Sequence, residues 1–512
     1  MQKQKIILVW FKRDIRISDH RSLSEALSRW KSQDIPVIAF YSFEPRVTSA
    51  PDFSDFHRQF IEESLRDLSQ SLKGLNIPFF IFERNISDVM KYILEFYDVE
   101  HIFSHEETWN TITYERDIMM GKYLKSKNIL WTEYPTNGVV RRLKSRDDWS
   151  KIWNSRMIVP ILPPPDPQGS FSCPLISDRW QKDIGNPYIQ KWGEREWQKT
   201  LASFLISRGK WYMWGMSRPI EWQLASSRIS PYLAYGCISL KQVIQMTWVR
   251  MSDLKEKWDS RFLRSLQAFH SRLHWQSHFI QKLEDEPRLE YMNAIKLYDS
   301  IRTEYDVDII SAIDNSRTGI PFIDGIVRQL KATGWINFRA RATLVSFVCC
   351  TCMQPWQGRF AHWLARLFTD YEPGIHYMQL QMQSGTMGIN TIRIYNPVKQ
   401  LYDKDRDGLF VDAYLPELAN LPKHLQAEPW KISQMESIEY DFILGRDYPY
   451  PIIDVEEANR SARDILYDMK SQIDPRVKDS IIRKHASRKS SPRKKVQKKQ
   501  KENPDINLSL FD

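Results

Sequence analysis

Over its first 135 residues the chain alternates between two hydrophobic periods, and this alternation constrains the fold more than any other feature. Four apolar runs have the length of strands: Ile6–Phe11, Val37–Phe43, Pro78–Phe82 and His101–Ser104. Helical patterns lie between and after them, at Arg21–Trp30, Phe56–Leu72, Ile86–Phe96 and Tyr114–Lys125. Regular strand–helix alternation predicts a parallel sheet with helices on both faces. We therefore expect an α/β domain over residues 1–135, although no G-x-G-x-x-G loop indicates its ligand.

The character of the sequence changes after residue 135. Residues 136–194 contain five prolines between positions 160 and 167, and this density predicts an irregular connector. From residue 195 to 475 helical patterns and Trp-rich loops dominate, which predicts a second, all-α domain. The length of 512 residues also requires more than one core, since single cores rarely exceed about 300 residues.

The positive charge is concentrated at the end of the chain. The formal net charge is +10, yet the stretch Arg476–Lys501 alone holds twelve Lys or Arg residues and one acid, Asp479. This stretch has almost no large apolar side chain, so we expect residues 476–512 to form a disordered basic tail. A solubilising tail and an electrostatic arm for nucleic acid both fit this composition, and the charge density favours the arm.

Cysteine usage and hydropathy point to a reducing, non-membrane environment. The five cysteines are odd in number and have no framework spacing, which argues against a secreted disulfide scaffold. Cys349, Cys350 and Cys352 lie in an apolar run, so we interpret them as buried small hydrophobes rather than metal ligands. We find no signal peptide and no run of about 20 apolar residues, and we expect a soluble cytoplasmic protein without membrane contact.

Polar clusters in the second region suggest a ligand site. Ser226–Cys237 begins with consecutive hydroxyls before a proline at a predicted helix start, which fits either helix capping or the binding of an anion. The segment Gly334–Arg341 places arginines among aromatic residues, where a guanidinium calls for a carboxylate or phosphate partner. A third cluster runs from Asp370 through His376, and its Pro373-Gly374 step predicts a loop that presents polar groups inward.

Five ordered blocks then carry a resemblance. Leu8–His20, Ser226–Gly236, Thr318–Leu330, Gly334–Arg341 and Arg393–Pro397 are similar to blocks of the DNA photolyase/cryptochrome flavoprotein family, over about residues 5–470. The resemblance implies an α/β parallel-sheet N-terminal domain that can hold an antenna chromophore, and an all-α C-terminal domain that binds FAD. It implies light-driven electron transfer that splits pyrimidine dimers in DNA, as in a deoxyribodipyrimidine photolyase, a carbon–carbon lyase. The alternative is a cryptochrome-like blue-light photoreceptor.

The resemblance also assigns site residues. For FAD it implies Tyr212, Ser226, Ser227, Arg228, Ile229, Ser230, Arg341, Asp370 and Glu372. For DNA it implies Arg272, Trp275, Phe338, Arg339 and Gln400. For the photochemistry it implies Trp275, which would stack on a flipped base, with His376, Arg341, Asp370 and Trp356. A guanidinium near the flavin ring would favour its anionic reduced form, and Asp370 would orient that guanidinium.

The chain departs from the family pattern at informative positions. Arg272 stands where many cyclobutane-dimer photolyases have a glutamate, and His376 stands where an asparagine faces the flavin. Of the family's electron-relay tryptophans only the middle one, Trp356, is present, with Leu380 at the inner and Ile313 at the outer position. A different path is expected through nearby aromatics, with Tyr377, Trp335 and Trp363 as candidates. The paired histidines of (6-4) photolyases are absent, with Asn337 and Ala342 in that region.

Two further patterns concern metals and partners. His270, His274 and His278 repeat on one predicted helix face, and we favour hydrogen-bonded histidines over a metal site there. The terminal peptide Asn507–Phe511 resembles the motif by which bacterial repair proteins dock on the sliding clamp, although a hydrophobic end packed on the body is an equal alternative. The family suggests a monomer.

Overall fold

The computed structural model describes residues 3–181, 186–187 and 189–486. The first domain is a five-stranded parallel sheet in the order β3-β2-β1-β4-β5. The strands are β1 (Gln4–Phe11), β2 (Val37–Ser42), β3 (Phe79–Phe82), β4 (Tyr97–His105) and β5 (Leu130–Tyr134). The four predicted strands are confirmed, and β5 was missed because its side chains are only half-buried and give no apolar run.

Helices cover both faces of the sheet, as strand–helix alternation predicts. They are Arg21–Gln33, Pro45–Thr48, Asp55–Gly74, Ile86–Phe96 and Thr111–Ser126. On one face, residues such as Leu8 and Ile38 pack against Ile86–Phe96 and Met120. On the other face, Val9 and its neighbours share a core with side chains of the helical domain, including Phe204 and Leu266. The sheet is therefore one wall of a core to which both domains contribute.

The connector differs from the prediction of irregular backbone throughout. A 3₁₀ turn Arg146–Asp148 leads into an α-helix, Trp149–Met157, whose Trp149 and Trp153 are buried. Residues 158–181 have no helix or strand, in line with their prolines. This part is tied to the sheet by Gln168, whose amide accepts from the Val37 N–H and donates to the Val37 carbonyl, both at 2.9 Å.

The second domain is helical, as predicted. Its α-helices are Glu194–Ile206, Tyr212–Gly215, Glu221–Ala225, Ser230–Ala234, Leu240–Glu256, Ser260–Asp285, Val307–Asp314, Pro321–Thr333, Phe338–Ser346, Arg359–Leu367, Pro373–Gln383, Pro397–Lys404, Leu409–Tyr414, Lys423–Ala427, Gln434–Glu439, Val455–Ser471 and Pro475–His485. Short 3₁₀ turns occupy Arg208–Trp211, Pro287–Glu290, Lys296–Ser300, Pro416–Leu418 and Pro429–Lys431, and a π-turn occupies Phe347–Thr351. Cys349, Cys350 and Cys352 are buried in its core, as predicted.

The prediction that residues 476–512 are disordered is wrong at its beginning. Helix Pro475–His485 packs on the body through Ile481 and His485, which are buried. The imidazole of His485 pairs with Glu286 at 2.7 Å, and Lys484 pairs with the same carboxylate at 2.9 Å. The prediction missed Ile481 and His485 because the segment around them is dominated by charged residues. The rest of the basic tail, with Asn507–Phe511, lies outside the described residues. Within the described part of the chain, no helix is long and apolar enough to cross a membrane.

Candidate functional site

A cavity of about 340 Å³ opens in the helical domain. Fourteen of the sixteen predicted site residues line it: Tyr212, Ser226, Ser227, Arg228, Ile229, Ser230, Arg272, Trp275, Phe338, Arg339, Arg341, Asp370, Glu372 and His376. They come from five separate stretches of sequence, so the tertiary fold is what assembles them. Trp356 and Gln400 are the two predicted residues outside this lining.

A bidentate ion pair forms one wall of the cavity. Nη2 of Arg341 donates to both carboxylate oxygens of Asp370 at 2.9 Å, and its Nε donates to the Ile336 carbonyl at 2.9 Å. Asn337 caps the helix that carries Arg341, because its side chain accepts from the Ala340 N–H at 2.9 Å. The guanidinium also lies 3.9 Å above the ring of Phe368. These contacts fix a positive group at the cavity wall.

The hydroxyl-rich loop brings a second guanidinium into the cavity. Arg228 has a left-handed backbone with φ of 60°, which turns the loop before helix Ser230–Ala234. Its guanidinium stacks 4.0 Å from the Trp335 ring and donates to the side chain of Gln190 at 3.1 Å. Burial lowers the pKa of Arg228 to about 10, so it remains charged at neutral pH. The loop thus offers a cation beside the hydroxyls of Ser226, Ser227 and Ser230, a donor set that suits phosphate.

Arg272 and Trp275 lie one turn apart on the long helix Ser260–Asp285 and line the same cavity. Arg272 hydrogen bonds the hydroxyl of Tyr212; burial raises the pKa of that tyrosine, and Arg272 opposes the rise. Trp275 packs its ring 5.0 Å from His278 and 5.7 Å from Phe279. Near the entrance, Phe338 is 37% exposed, while Arg339 is half-buried. These side chains give the cavity an aromatic and cationic entrance.

Burial shifts the pKa of two titratable groups on the inner wall towards their neutral forms. Burial lowers the pKa of His376 to about 3, and its Nε2 donates to the Ala361 carbonyl at 3.0 Å, which leaves Nδ1 as an acceptor. Burial also raises the pKa of Glu372 to about 7, although Arg13 at 3.9 Å opposes this. Oε1 of Glu372 is buried and has no hydrogen-bond partner in the structure. Glu372 therefore presents an unsatisfied polar atom to a ligand.

Aromatic side chains extend from this wall to Trp356. The buried indole of Trp356 donates to Asn293 at 2.7 Å and lies 6.3 Å from the ring of Tyr377. Tyr377 in turn lies 5.2 Å from His376, which lines the cavity. Of the three candidate relay residues, Tyr377 thus bridges Trp356 and the cavity. Trp335 stacks on Arg228, while Trp363 stacks on Phe360 at 5.8 Å and donates to Asp314.

The sheet domain contains a second crevice, which sequence reasoning did not detail. It lies where strand order reverses, beside the carboxyl ends of β1 and β4, the position at which open α/β sheets bind ligands. Its volume is about 60 Å³. Arg116 crosses it and pairs with Glu44 at 2.8 Å, with Asp117 at 2.8 Å and with Glu107. Arg116, Glu44 and Glu107 thus narrow the crevice in this structure.

The one cluster of metal-ligand residue types in the described ranges is Asp14, His20 and His105. Oδ2 of Asp14 lies 2.6 Å from Nδ1 of His105 and 3.0 Å from Nε2 of His20, which are hydrogen-bond distances. Burial lowers the pKa of His105 to about 4, so the imidazole is neutral. His105 and Asp14 form a buried hydrogen bond after β1, while Nε2 of His20 lies close to Asp14 without hydrogen-bond geometry. His270, from the predicted histidine face, accepts a hydrogen bond from Trp248 at 2.9 Å.

FAD fits the residues of the larger cavity. The cavity is open enough for a ring system, a guanidinium is fixed at its wall, and hydroxyls with Arg228 suit a pyrophosphate. The unsatisfied oxygen of Glu372 also requires a polar partner. Sequence reasoning missed Arg13 and Tyr371 at this site, although Arg13 lies within the first family block.

Comparisons with known proteins agree with this assignment. Residues 7–145 match the family model described as DNA photolyase, and residues 269–468 match the FAD binding domain of DNA photolyase. A deoxyribodipyrimidine photo-lyase of Alkalihalophilus pseudofirmus is 25% identical over 477 residues, covering 89% of this chain and 96% of that protein. A cryptochrome DASH of Gloeobacter violaceus is 25% identical over 496 residues, covering 91% of this chain and 96% of that protein.

Solved structures share the fold. A Synechocystis cryptochrome superposes with a TM-score of 0.80 at 21% identity, covering 91% of this chain and all of that one. An archaeal photolyase from Sulfolobus tokodaii, described as holding two FAD molecules, superposes with a TM-score of 0.70 at 22% identity, covering 91% of this chain and all of that one. At these identities the likeness concerns the architecture of both domains.

Proposed function

The chain belongs to the DNA photolyase/cryptochrome family and has its FAD-binding domain, and we propose that it is a light-driven lyase that splits pyrimidine dimers in DNA. One observation carries the proposal: a single cavity has the Arg341–Asp370 pair on its wall and Trp275, Phe338 and Arg339 among its lining residues. An enzyme of this class must hold a flavin and a flipped lesion within one pocket. We favour the cyclobutane dimer as the substrate.

FAD held by these residues would, once reduced and excited by light, supply the electron that opens the dimer and that returns afterwards. The chain's own residues prepare the pocket for this reaction. Arg341, held by Asp370, stabilises negative charge at the wall of the cavity. His376 offers only an acceptor at neutral pH, because its single proton is donated to the Ala361 carbonyl. Trp275 offers a flat apolar face for the extruded pyrimidines.

Glu372 would exchange a proton or a hydrogen bond with a bound ligand, and Arg272 would contribute a positive charge next to it. With a pKa raised to about 7 by burial, Glu372 is partly protonated at neutral pH and can donate or accept a hydrogen bond. Arg272, which is already paired with Tyr212, offers a cation at a position where many relatives have an acid. A cation favours a negatively charged substrate backbone or a dimer that has accepted an electron.

Repair assays test the proposal directly. Reduced protein is mixed with oligonucleotides that carry either a cyclobutane dimer or a (6-4) lesion, irradiated with blue light, and the products are separated by chromatography. We expect light-dependent restoration of the cyclobutane substrate and none in the dark. Absence of light-dependent repair for both lesions would contradict the proposal.

The second candidate is a cryptochrome-like photoreceptor, which Arg272 and the interrupted tryptophan relay favour. Such a protein binds FAD and changes conformation in light without repairing DNA. Limited proteolysis in light and dark, performed on the protein used for the repair assay, separates the two functions. A light-dependent cleavage pattern without repair supports the photoreceptor.

We also propose that the protein is a cytoplasmic monomer and that Asn507–Phe511 docks on a sliding clamp. The motif places two leucines and a phenylalanine at the end of an otherwise polar segment. Fluorescence anisotropy of labelled full-length protein against a clamp, with and without residues 507–512, tests this. An affinity unchanged by the deletion would contradict clamp binding.

A further inference from the structure

Two tryptophans beside the cavity are exposed, and an arginine lies against both of them. Trp211 is 51% exposed and Trp214 is 42% exposed, although indoles are usually well buried. The guanidinium carbon of Arg261 lies 4.0 Å from the Trp211 ring centroid and 4.2 Å from that of Trp214. We call Trp211, Trp214 and Arg261 the indole platform. Such contacts hold the rings in place.

The indole platform is joined rigidly to the cavity. Trp211 and Trp214 flank Tyr212, a lining residue, within consecutive short helices. Two residues beyond Trp214, the Met216 carbonyl accepts from the side chain of Asn337 at 2.6 Å, next to the exposed Phe338. Arg261 lies on the same helix as Arg272, eleven residues away, or about 16 Å at 1.5 Å per residue. The platform therefore lies a few nucleotides from the cavity, since successive nucleotides of a strand in B-DNA are about 3.4 Å apart.

The charge of this region suits a nucleic-acid backbone. Arg264, one turn from Arg261, is exposed, and its Nε donates to the Ser260 carbonyl. Among the described residues, neither Arg261 nor Arg264 lies within ion-pair distance of a carboxylate. The neighbouring acid Asp259 is neutralised by Lys210 at 3.0 Å. Cations next to exposed aromatic rings are the combination that binds single-stranded nucleic acid, where bases are free to stack.

We propose that the indole platform binds unpaired bases of single-stranded DNA that flank the lesion. This rests on the proposed function, because the cavity sets the position of the strand. Bases stack on the solvent-facing sides of Trp211 and Trp214, while Arg264 contacts the phosphates. Duplex DNA keeps its bases stacked on each other and gains little from the platform. The platform thus gives a preference for single-stranded over duplex substrates.

The test measures DNA affinity in the dark by fluorescence anisotropy, using labelled dimer-containing oligonucleotides in single-stranded and duplex form. For the Trp211→Ala/Trp214→Ala double variant we expect single-stranded affinity to fall roughly 5- to 150-fold, the range for one stacked base. Duplex affinity should change less than twofold. Trp211→Phe/Trp214→Phe should retain most single-stranded affinity, because phenylalanine keeps a stacking face. Phe96→Ala removes an exposed ring of the sheet domain and is the control.

Single-stranded affinity unchanged in the alanine double variant, or an equal loss on both substrates, overturns the proposal. Far-UV circular dichroism and the thermal midpoint confirm that the variants fold, and the phenylalanine variant covers the case in which the alanine variant does not. If the parent protein does not repair dimers but the alanine double variant still loses single-stranded affinity, the repair function is refuted and the proposal for the indole platform stands.

Arg264→Ala should reduce the salt dependence of single-stranded binding by about 0.7 in the log–log slope.

Discussion

The cavity of the helical domain and the crevice of the sheet domain are filled in opposite ways. The helical cavity has about 340 Å³ of free space and keeps the Arg341–Asp370 pair at its wall. The crevice at the strand-order reversal has about 60 Å³, and it is lined by Arg116 and two of its carboxylate partners, Glu44 and Glu107. A buried ion network of this kind satisfies its own charges, whereas the helical cavity leaves an oxygen of Glu372 without a partner. The sheet crevice is therefore narrowed by its own paired side chains, and the helical cavity is prepared for a ligand.

The largest expected effect comes from a substitution in the ion network of Arg116 at the sheet crevice. Arg116→Met leaves the buried carboxylates of Glu44, Glu107 and Asp117 without their shared cation, which costs about 3–5 kcal/mol of unfolding free energy. FAD content per chain should be unchanged. Urea denaturation and flavin absorbance measure the two quantities. Arg46→Met, at an exposed pair with Glu115, is the control and should cost less than about 1 kcal/mol; equal losses in both variants would contradict a structural role for the network.

The next effect concerns Glu372, which lines the helical cavity. Burial raises its pKa to about 7 from a usual 4.5, so the folded protein binds this proton more tightly than the unfolded chain. Its stabilising contribution is complete below pH 4.5 and is lost as the pH rises to 7, on the order of 3 kcal/mol. Glu372→Gln should remove this part of the pH slope, measured by urea denaturation of apoprotein between pH 4.5 and 7.5.

The slope that remains in Glu372→Gln belongs to other buried acids. Burial raises the pKa of Glu284 to about 7 and that of Asp285 to about 6, and neither residue lines the larger cavity. Parent and variant should therefore both lose stability as the pH rises, with the parent losing more. Identical slopes would show that Glu372 titrates as an ordinary surface acid.

The third effect separates ligand binding from stability at the open cavity. Arg341→Lys lacks the Nε that donates to the Ile336 carbonyl and the planar guanidinium that lies over Phe368, and we expect FAD retention to fall about 10- to 100-fold, as for the loss of one charge-assisted hydrogen bond. The unfolding free energy of the apoprotein should change less than in Arg116→Met, because Arg341 is partly exposed. Flavin absorbance after gel filtration reports retention. Arg218→Lys, at an exposed pair with Glu221, should retain FAD as the parent does.

The smallest effect concerns the side chain that both cavities share. Tyr371 lines the helical cavity and the sheet crevice, and its hydroxyl donates to Asp52 at 2.7 Å. Tyr371→Phe removes that bond and should cost about 1–2 kcal/mol, because a buried acceptor is left unpaired. Thermal unfolding of the apoprotein measures it. Asp52→Asn in the Tyr371→Phe background should recover part of the loss; if the double variant is no more stable, the bond contributes little.

Most of the architecture could be predicted from the sequence because it depends on local periodicity. The first four strands are short apolar runs and the long helices between them are amphipathic, so their apolar positions are visible in the chain. Strand Leu130–Tyr134 was missed because an edge strand with half-buried side chains gives no such signal. Helix Pro475–His485 was missed because two buried anchors, Ile481 and His485, stand among many charges.

Part of the candidate site could likewise be predicted from the sequence, and part could not. The family resemblance pointed to side chains of the cavity both inside and outside the five blocks, and fourteen of sixteen predicted residues line it. Gln400 does not, because the helix Pro397–Lys404 lies away from the lining. The contacts of Tyr377 with Trp356 and with His376 could not be read from spacing, since ring contacts depend on how helices pack.

By itself the sequence determined the two-domain α/β and all-α organisation, the family, and fourteen of the residues that line the helical cavity. Periodicity and motif residues are local properties, so the chain carries them in its order. Only the tertiary structure decided that the sheet crevice is narrowed by Arg116, that Glu372 is left unsatisfied, and that Trp211 and Trp214 are exposed beside the cavity. These properties depend on which distant side chains come into contact and which polar atoms are left without a hydrogen-bond partner. The packing of the tertiary structure determines both.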